Sequence, residues 1–166
     1  MAAPAVALDH IAIAAARLDD GIDWFERLSG LRVPLGGRHP AMRTHNAVMS
    51  LGGGTYLEII AIDADAGPAP RRRWFGLDEP RLRQRLAANG PMLVAWVCRS
   101  ADLDATLAAS PVRLGEALVM ARGALTWRIA VPDDGGLPMA GLMPVLIEWP
   151  PGPHVSEQMV DFGLRL

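Results

Sequence analysis

The sequence predicts an α+β protein: two βαβββ modules that form a curved, mostly antiparallel sheet, with an inner cleft and helices outside. Three observations carry this reading. Short apolar, β-prone runs alternate with stretches of helical periodicity. The order strand, helix, three strands occurs over about 6–65 and again over about 91–150. A glutamate interrupts the last strand of each half, Glu58 in TYLEIIAI and Glu148 in PVLIEWP. Residues 66–90 then form a connecting loop and helix, 151–166 a tail, and the whole of 1–166 a single domain.

The first module opens with the strand LDHIAIA (8–14), followed by ARLDDGIDWFERLSGL, where Ile22, Phe25 and Leu28 share a helical face. Asp19 or Asp20 can cap this helix, and Gly30 ends it. LRVPLGG is an edge strand kept marginal by Pro34. THNAVMSLG (44–52) and TYLEIIAID (55–63) form a hairpin across Gly52, Gly53 and Gly54. LDEPRLRQRLAANG then predicts a helix from about Pro80 to Asn89. In the second module, PMLVAWVCR is a strand and SADLDATLAAS a helix with Ser100 as its cap. VRLGEALVM, ALTWRIAVP and PVLIEWP supply three more strands.

Composition limits the function classes. With 51% hydrophobic and 20% charged residues, the chain can fold around a core. A net charge of −2 removes the general electrostatic footprint of a nucleic-acid binder. All the basic residues are arginine, so Schiff-base chemistry on a lysine is excluded. Cys98 is the single cysteine and reads as a packed apolar side chain. The apolar start lacks a basic region and is broken by Asp9 and His10, so neither a signal peptide nor a membrane span is expected, and the expected location is cytoplasmic.

A carboxylate in an apolar strand costs several kcal/mol unless it is paired, protonated or bound to a metal. Strand alternation puts His10 on a face with Leu8, Ala12 and Ala14, and Glu58 on a face with Tyr56, Ile60 and Ile62. His10 and Glu58, joined by Glu148, would make a mixed nitrogen and oxygen site for a divalent metal. The alternative is that the glutamates pair with arginines such as Arg128 or Arg43. His45 and Asn46 are candidate substrate contacts, with His45 expected on a cavity stripe with Ala47, Met49 and Leu51; His39, before Pro40, reads as a loop residue. Trp74, Phe75 and Trp96 are candidate apolar contacts. In PRRRWFGLD (70–78), the arginines and two aromatic rings either receive an anionic or aromatic ligand or form a solvated linker.

The repeat, the LDHIAIA opening with its histidine, and a glutamate in each last strand resemble the vicinal oxygen chelate superfamily. LDHIAIA, LDDGIDWFE, RHPAMRTHNAVMSLGGGTYLEIIA and WFGLD are similar to the glyoxalase-like domain family within it. The resemblance covers residues 8 to about 149 and implies metal ligands at His10, Glu58 and Glu148; the fourth ligand position falls at Ala95, which has no donor. It implies a lyase or isomerase in which a zinc, nickel, manganese or iron ion polarises a small oxygenated compound, with Glu58 or Glu148 moving a proton. Two alternatives stay open: a metal-free protein that sequesters a small molecule, and an extradiol-type dioxygenase if His45 joins the ligands. A small-molecule substrate or ligand is the expected partner, with no nucleic acid or membrane, and a homodimer is an open arrangement.

Overall fold

Strand β1 (Val6–Ala14) lies near the middle of an eight-stranded sheet in a computed structural model that describes residues 5–166. The strands are β1, β2 (Leu35–His39), β3 (Thr44–Gly52), β4 (Thr55–Ile62), β5 (Met92–Ser100), β6 (Glu116–Arg122), β7 (Leu125–Val131) and β8 (Val145–Glu148). Their spatial order is β2-β3-β4-β1-β5-β8-β7-β6. β1 pairs parallel with β4 and β5 pairs parallel with β8, while β1 and β5 join the two halves as an antiparallel pair. The βαβββ repeat is therefore present, and the sheet curls until the two edge strands, β2 and β6, touch.

The helices are α1 (Leu18–Ser29), α2 (Pro80–Asn89) and α3 (Leu103–Ala109). Gly30 ends α1 in the left-handed conformation, as expected. Neither Asp19 nor Asp20 caps it: both lie inside its first turn, where their charge suits the helix dipole. Asp102 rather than Ser100 caps α3, accepting from Ala105 N at 2.9 Å. Ser100 is the last residue of β5 instead. The three-glycine hairpin has φ of 73°, 58° and 76° at Gly52, Gly53 and Gly54, values that side chains with a Cβ resist.

Alternation divides each strand between two faces. On the outer face, Ala47, Met49, Leu51, Leu57 and Ile59 pack with Leu18 and Ile22 of α1. Across the second half, Cys98, Ala130 and Leu146 pack with Leu103 of α3. The inner face holds Ala12, Ala14, Ile60, Val97, Ile129 and Ile147, and the segment after β4 sends Trp74, Phe75, Leu77 and Leu86 onto it. Each fully buried Leu or Ile in these layers contributes about 1.5–3 kcal/mol. Beside this filling, a polar inner cavity remains around His10 and Glu58.

Candidate active site

The cavity is small, about 30 Å³, and is walled by His10, His39, Asn46, Tyr56, Glu58 and Arg122 on its polar side. Trp74, Phe75, Trp127 and Trp149 form much of its apolar side, and Val155 and Met159 of the tail close it. His10 and Glu58 are both nearly inaccessible, and His10 Nε2 lies 3.6 Å from Glu58 Oε2. These two side chains meet because β1 and β4 are parallel neighbours, with His10 opposite Tyr56 and Ala12 opposite Glu58.

Asp9 departs from simple alternation. The pairing of β1 with β5 slips between Leu8 and His10, a bulge that turns Asp9 and His10 to the same side. Fully buried, Asp9 accepts from His10 Nδ1 at 2.6 Å through one oxygen. Its other oxygen accepts from Trp149 Nε1 at 3.0 Å and His154 Nε2 at 2.9 Å. Burial opposes the charge of Asp9, but these histidine contacts outweigh it and hold the carboxyl well below the usual carboxylate range. An ionised Asp9 keeps a proton on His10 Nδ1, which leaves Nε2 facing Glu58 free to accept one. Tyr56 stacks on the His10 ring with centroids 4.3 Å apart, and burial keeps its hydroxyl neutral.

A second polar chain holds Glu58. Asn46 donates through Nδ2 to Glu58 Oε1 at 2.6 Å and accepts through Oδ1 from Arg122 Nη1 at 2.8 Å. Arg122 comes from β6 and reaches across the closed edge of the sheet. Gly36 and Gly37 of β2 leave room for this: a Cβ on Gly36 would stand 2.4 Å from Asn46 Oδ1, and one on Gly37 2.8 Å from Arg122 Cδ. His39 is not in a loop; it ends β2, is buried, and pairs through Nδ1 with Thr44 Oγ1 at 3.0 Å.

Glu148 lies on the other face. Along β8, Ile147 and Trp149 line the cavity, so Glu148 between them points outward and accepts from Leu103 N at 2.6 Å. It also lies 3.4 Å from Arg128, which pairs with Asp104 at 2.6 Å. Glu148 is therefore held by α3 and an arginine, while Glu58 enters the cavity. His45 likewise lies outward with Ala47, Met49 and Leu51, the stripe beneath α1. Asn46, Trp74 and Phe75 reach the cavity. Trp96 does not: the residue is 38% exposed, and its Nε1 donates to Gly141 O at 3.1 Å. Two of the three arginines before Trp74 are also occupied outside the cavity, Arg73 by Asp78 at 2.5 Å and Arg71 by Pro132 O at 3.3 Å.

Of the three ligands that the resemblance implies, His10 and Glu58 face the cavity and Glu148 does not. Ala95 supplies no donor, and among the described residues no three His, Cys, Asp or Glu side chains converge as a metal site. The guanidinium of Arg122, one amide away from Glu58, adds positive charge that opposes a cation. The residues present therefore do not fit the three-ligand set of His10, Glu58 and Glu148.

Asp9, His39, His154, Trp149 and Arg122 are site residues that sequence reasoning passed over. The Gly36-Gly37 pair was a usable signal for close approach at the sheet edge. Nothing local announced the Asp9 bulge or the return of His154 from the tail.

The model of the family described as "Glyoxalase-like domain" matches residues 8–165. Among curated proteins none matches the sequence. Among solved structures, methylmalonyl-CoA epimerase from Mycobacterium tuberculosis is 24% identical, with a TM-score of 0.58 over 91% of this chain and 93% of that one. A hypothetical protein from Staphylococcus aureus is 16% identical, with a TM-score of 0.59 over 89% of this chain; the match spans 60% of that protein's length. Hypothetical protein BH1468 from Bacillus halodurans C-125 is 16% identical, with a TM-score of 0.53 over 90% of this chain and 98% of that one. At these identities the likeness is one of fold. No helix among the described residues is long and apolar enough to cross a membrane.

Proposed function

The chain belongs to the glyoxalase-like domain family, within the vicinal oxygen chelate superfamily, and from that premise we propose that it is an isomerase or lyase of a small carbonyl compound. The observation that carries this reading is the buried pair of His10 Nε2 and Glu58 Oε2, 3.6 Å apart across the cavity. Each has its other polar atom held from behind, His10 by Asp9 and Glu58 by Asn46. Such a pair can move a proton at a carbon beside a carbonyl.

In this reading Glu58 Oε2 takes the proton from that carbon, and the bonding electrons pass to the carbonyl oxygen, giving an enolate. In an isomerase the proton passes from Glu58 Oε2 to the free His10 Nε2, which returns it to the opposite face of the carbon, so that both side chains end as they began. In a lyase the same enolate re-forms its carbonyl by expelling a group from the next carbon. Positioned acid–base groups of this kind supply about 10²–10⁴-fold in rate. No metal takes part in these steps. A cavity of about 30 Å³ holds little more than one water, so Val155 and Met159 must shift for a substrate to enter.

The test is deuterium incorporation from D2O into a panel of small 2-oxo and 2-hydroxycarbonyl compounds, followed by proton NMR, on protein of measured metal content. Exchange in the wild type, lowered about 100-fold or more by E58Q, supports the reading. Exchange that persists in E58Q removes Glu58 from the step, and exchange found only in metal-loaded protein removes the metal-free route.

A second reading is favoured by the wall of Trp74, Phe75, Trp127 and Trp149: a protein that sequesters a small aromatic molecule without reaction. Stoichiometric binding of such a molecule, with no exchange in any compound, would select it. The extradiol-type dioxygenase receives no comparable support, since its second histidine, His45, faces outward.

A further inference from the structure

We infer that the cavity takes a substrate bearing a carboxylate, seated on Arg122. This rests on the proton-transfer reading for the site but on different atoms. Arg122 lines the cavity, and no carboxylate of the described residues lies within ion-pair distance of it, in contrast to Arg38, Arg73 and Arg128. Its recorded partners are neutral: Asn46 Oδ1 at 2.8 Å and His39 Nε2 at 3.5 Å. The neighbouring histidine stays neutral because burial, with the charge of Arg122 next, pushes it down to about 3. A half-buried guanidinium keeps donors for a planar anion, and the fork geometry of arginine matches a carboxylate.

A second donor belongs to the same wall. The Trp74 ring lines the cavity, is 4% exposed, and its Nε1–H is buried with no hydrogen-bond partner among the described residues. A buried N–H without a partner is costly, and a ligand oxygen that reached this edge of the ring as the cavity widens would satisfy it.

Position and charge narrow the class further. Asn46 bridges Arg122 to Glu58 through one amide group, so a carboxylate on Arg122 puts the adjoining carbons near Glu58 and His10. The reacting carbon is then one or two bonds from the carboxylate, as in a 2-oxo or 2-hydroxy acid. A monoanion is favoured over phosphate, because Glu58 and Asp9 already place negative charge around the cavity.

The experiment is calorimetric titration of the intact protein with pyruvate and lactate, against lactamide and inorganic phosphate, in wild type, R122M, R122K and E58Q. At least one carboxylate should bind the wild type and E58Q, and weaken about tenfold or more in R122M. Lactamide and phosphate should bind none of them measurably. If R122M fails to fold, R122K carries the test through a smaller loss, since it keeps charge but not the fork. Carboxylate binding unchanged in the folded arginine variants, lactamide binding as tightly as lactate, phosphate binding as tightly as the carboxylates, or no carboxylate binding at all would overturn the inference. Arg122-dependent binding without deuterium exchange would overturn the proton-transfer reading alone.

Discussion

Asp9 and His154 are 145 residues apart, yet the His154 ring donates to the Asp9 carboxylate at 2.9 Å while His10 donates to its other oxygen at 2.6 Å. One fully buried carboxylate therefore ties the first strand, the cavity histidine His10 and the tail together. Ser50 N reinforces the tail by donating to Val160 O at 2.9 Å.

Asp9→Asn should destabilise the fold and slow the reaction. The variant keeps the shape but replaces a charged acceptor that three donors face by an amide whose NH2 opposes a donor, a loss of about 1–3 kcal/mol in folding stability. It also removes the preference for a proton on His10 Nδ1. Urea unfolding gives the first quantity and the deuterium-exchange rate the second. Unaltered exchange in folded D9N would show that His10 needs no orienting carboxylate.

Glu148→Gln should cost little and leave the cavity alone. Glu148 accepts the first free N–H of α3 and meets Arg128 in a half-exposed pair, so the expected loss is about 1 kcal/mol. Exchange activity and metal content should match the wild type. Loss of a bound metal in E148Q would contradict the outward placement of Glu148.

Acid should unfold the protein through the cavity. His39, pushed down to about 3 mainly by burial, stays neutral when folded but takes up a proton below about 6.5 when unfolded. The unfolded chain binds more protons in that window, so stability falls as pH drops from about 6.5 towards 3, by up to roughly 1.4 kcal/mol per pH unit. Asp9 acts in the same direction lower down: its depressed value gives stability that is complete above the ordinary 3.8 and lost as pH falls further. Denaturant unfolding between pH 7 and 4 should show this slope, and His39→Gln should flatten it; a full slope in H39Q would assign it to other groups.

Gly37→Ala should weaken carboxylate binding with little effect on folding. Its Cβ would lie 2.8 Å from Arg122 Cδ, and displacement of that stem pulls the guanidinium from Asn46. A melting temperature within a few degrees of the wild type, with the carboxylate affinity lowered, is the expected result; unchanged affinity would show that Arg122 adapts without losing its seat.

Much of the fold was legible in the sequence because it depends on local periodicity. The three-glycine hairpin, the helix from Pro80 to Asn89 and the shared face of Tyr56, Glu58, Ile60 and Ile62 all follow from spacing within a few residues. The pairing of His10 with Glu58 was also legible, once the repeat made β1 and β4 neighbours. Glu148 resembled Glu58 in its strand, but a shift of one residue reverses a side chain. A pattern of few identities does not resolve such a shift, and Ile147 and Trp149 took the inward positions.

The chain by itself thus determined where strands and helices form, because backbone propensity and apolar alternation act over a handful of residues. Only the tertiary structure decided which polar groups share the cavity. Arg122 arrives by closure of the sheet edge, His154 by the return of the tail and Asp9 by a bulge set against β5. Each contact joins segments distant in sequence, and its energy comes from partners that no local stretch contains.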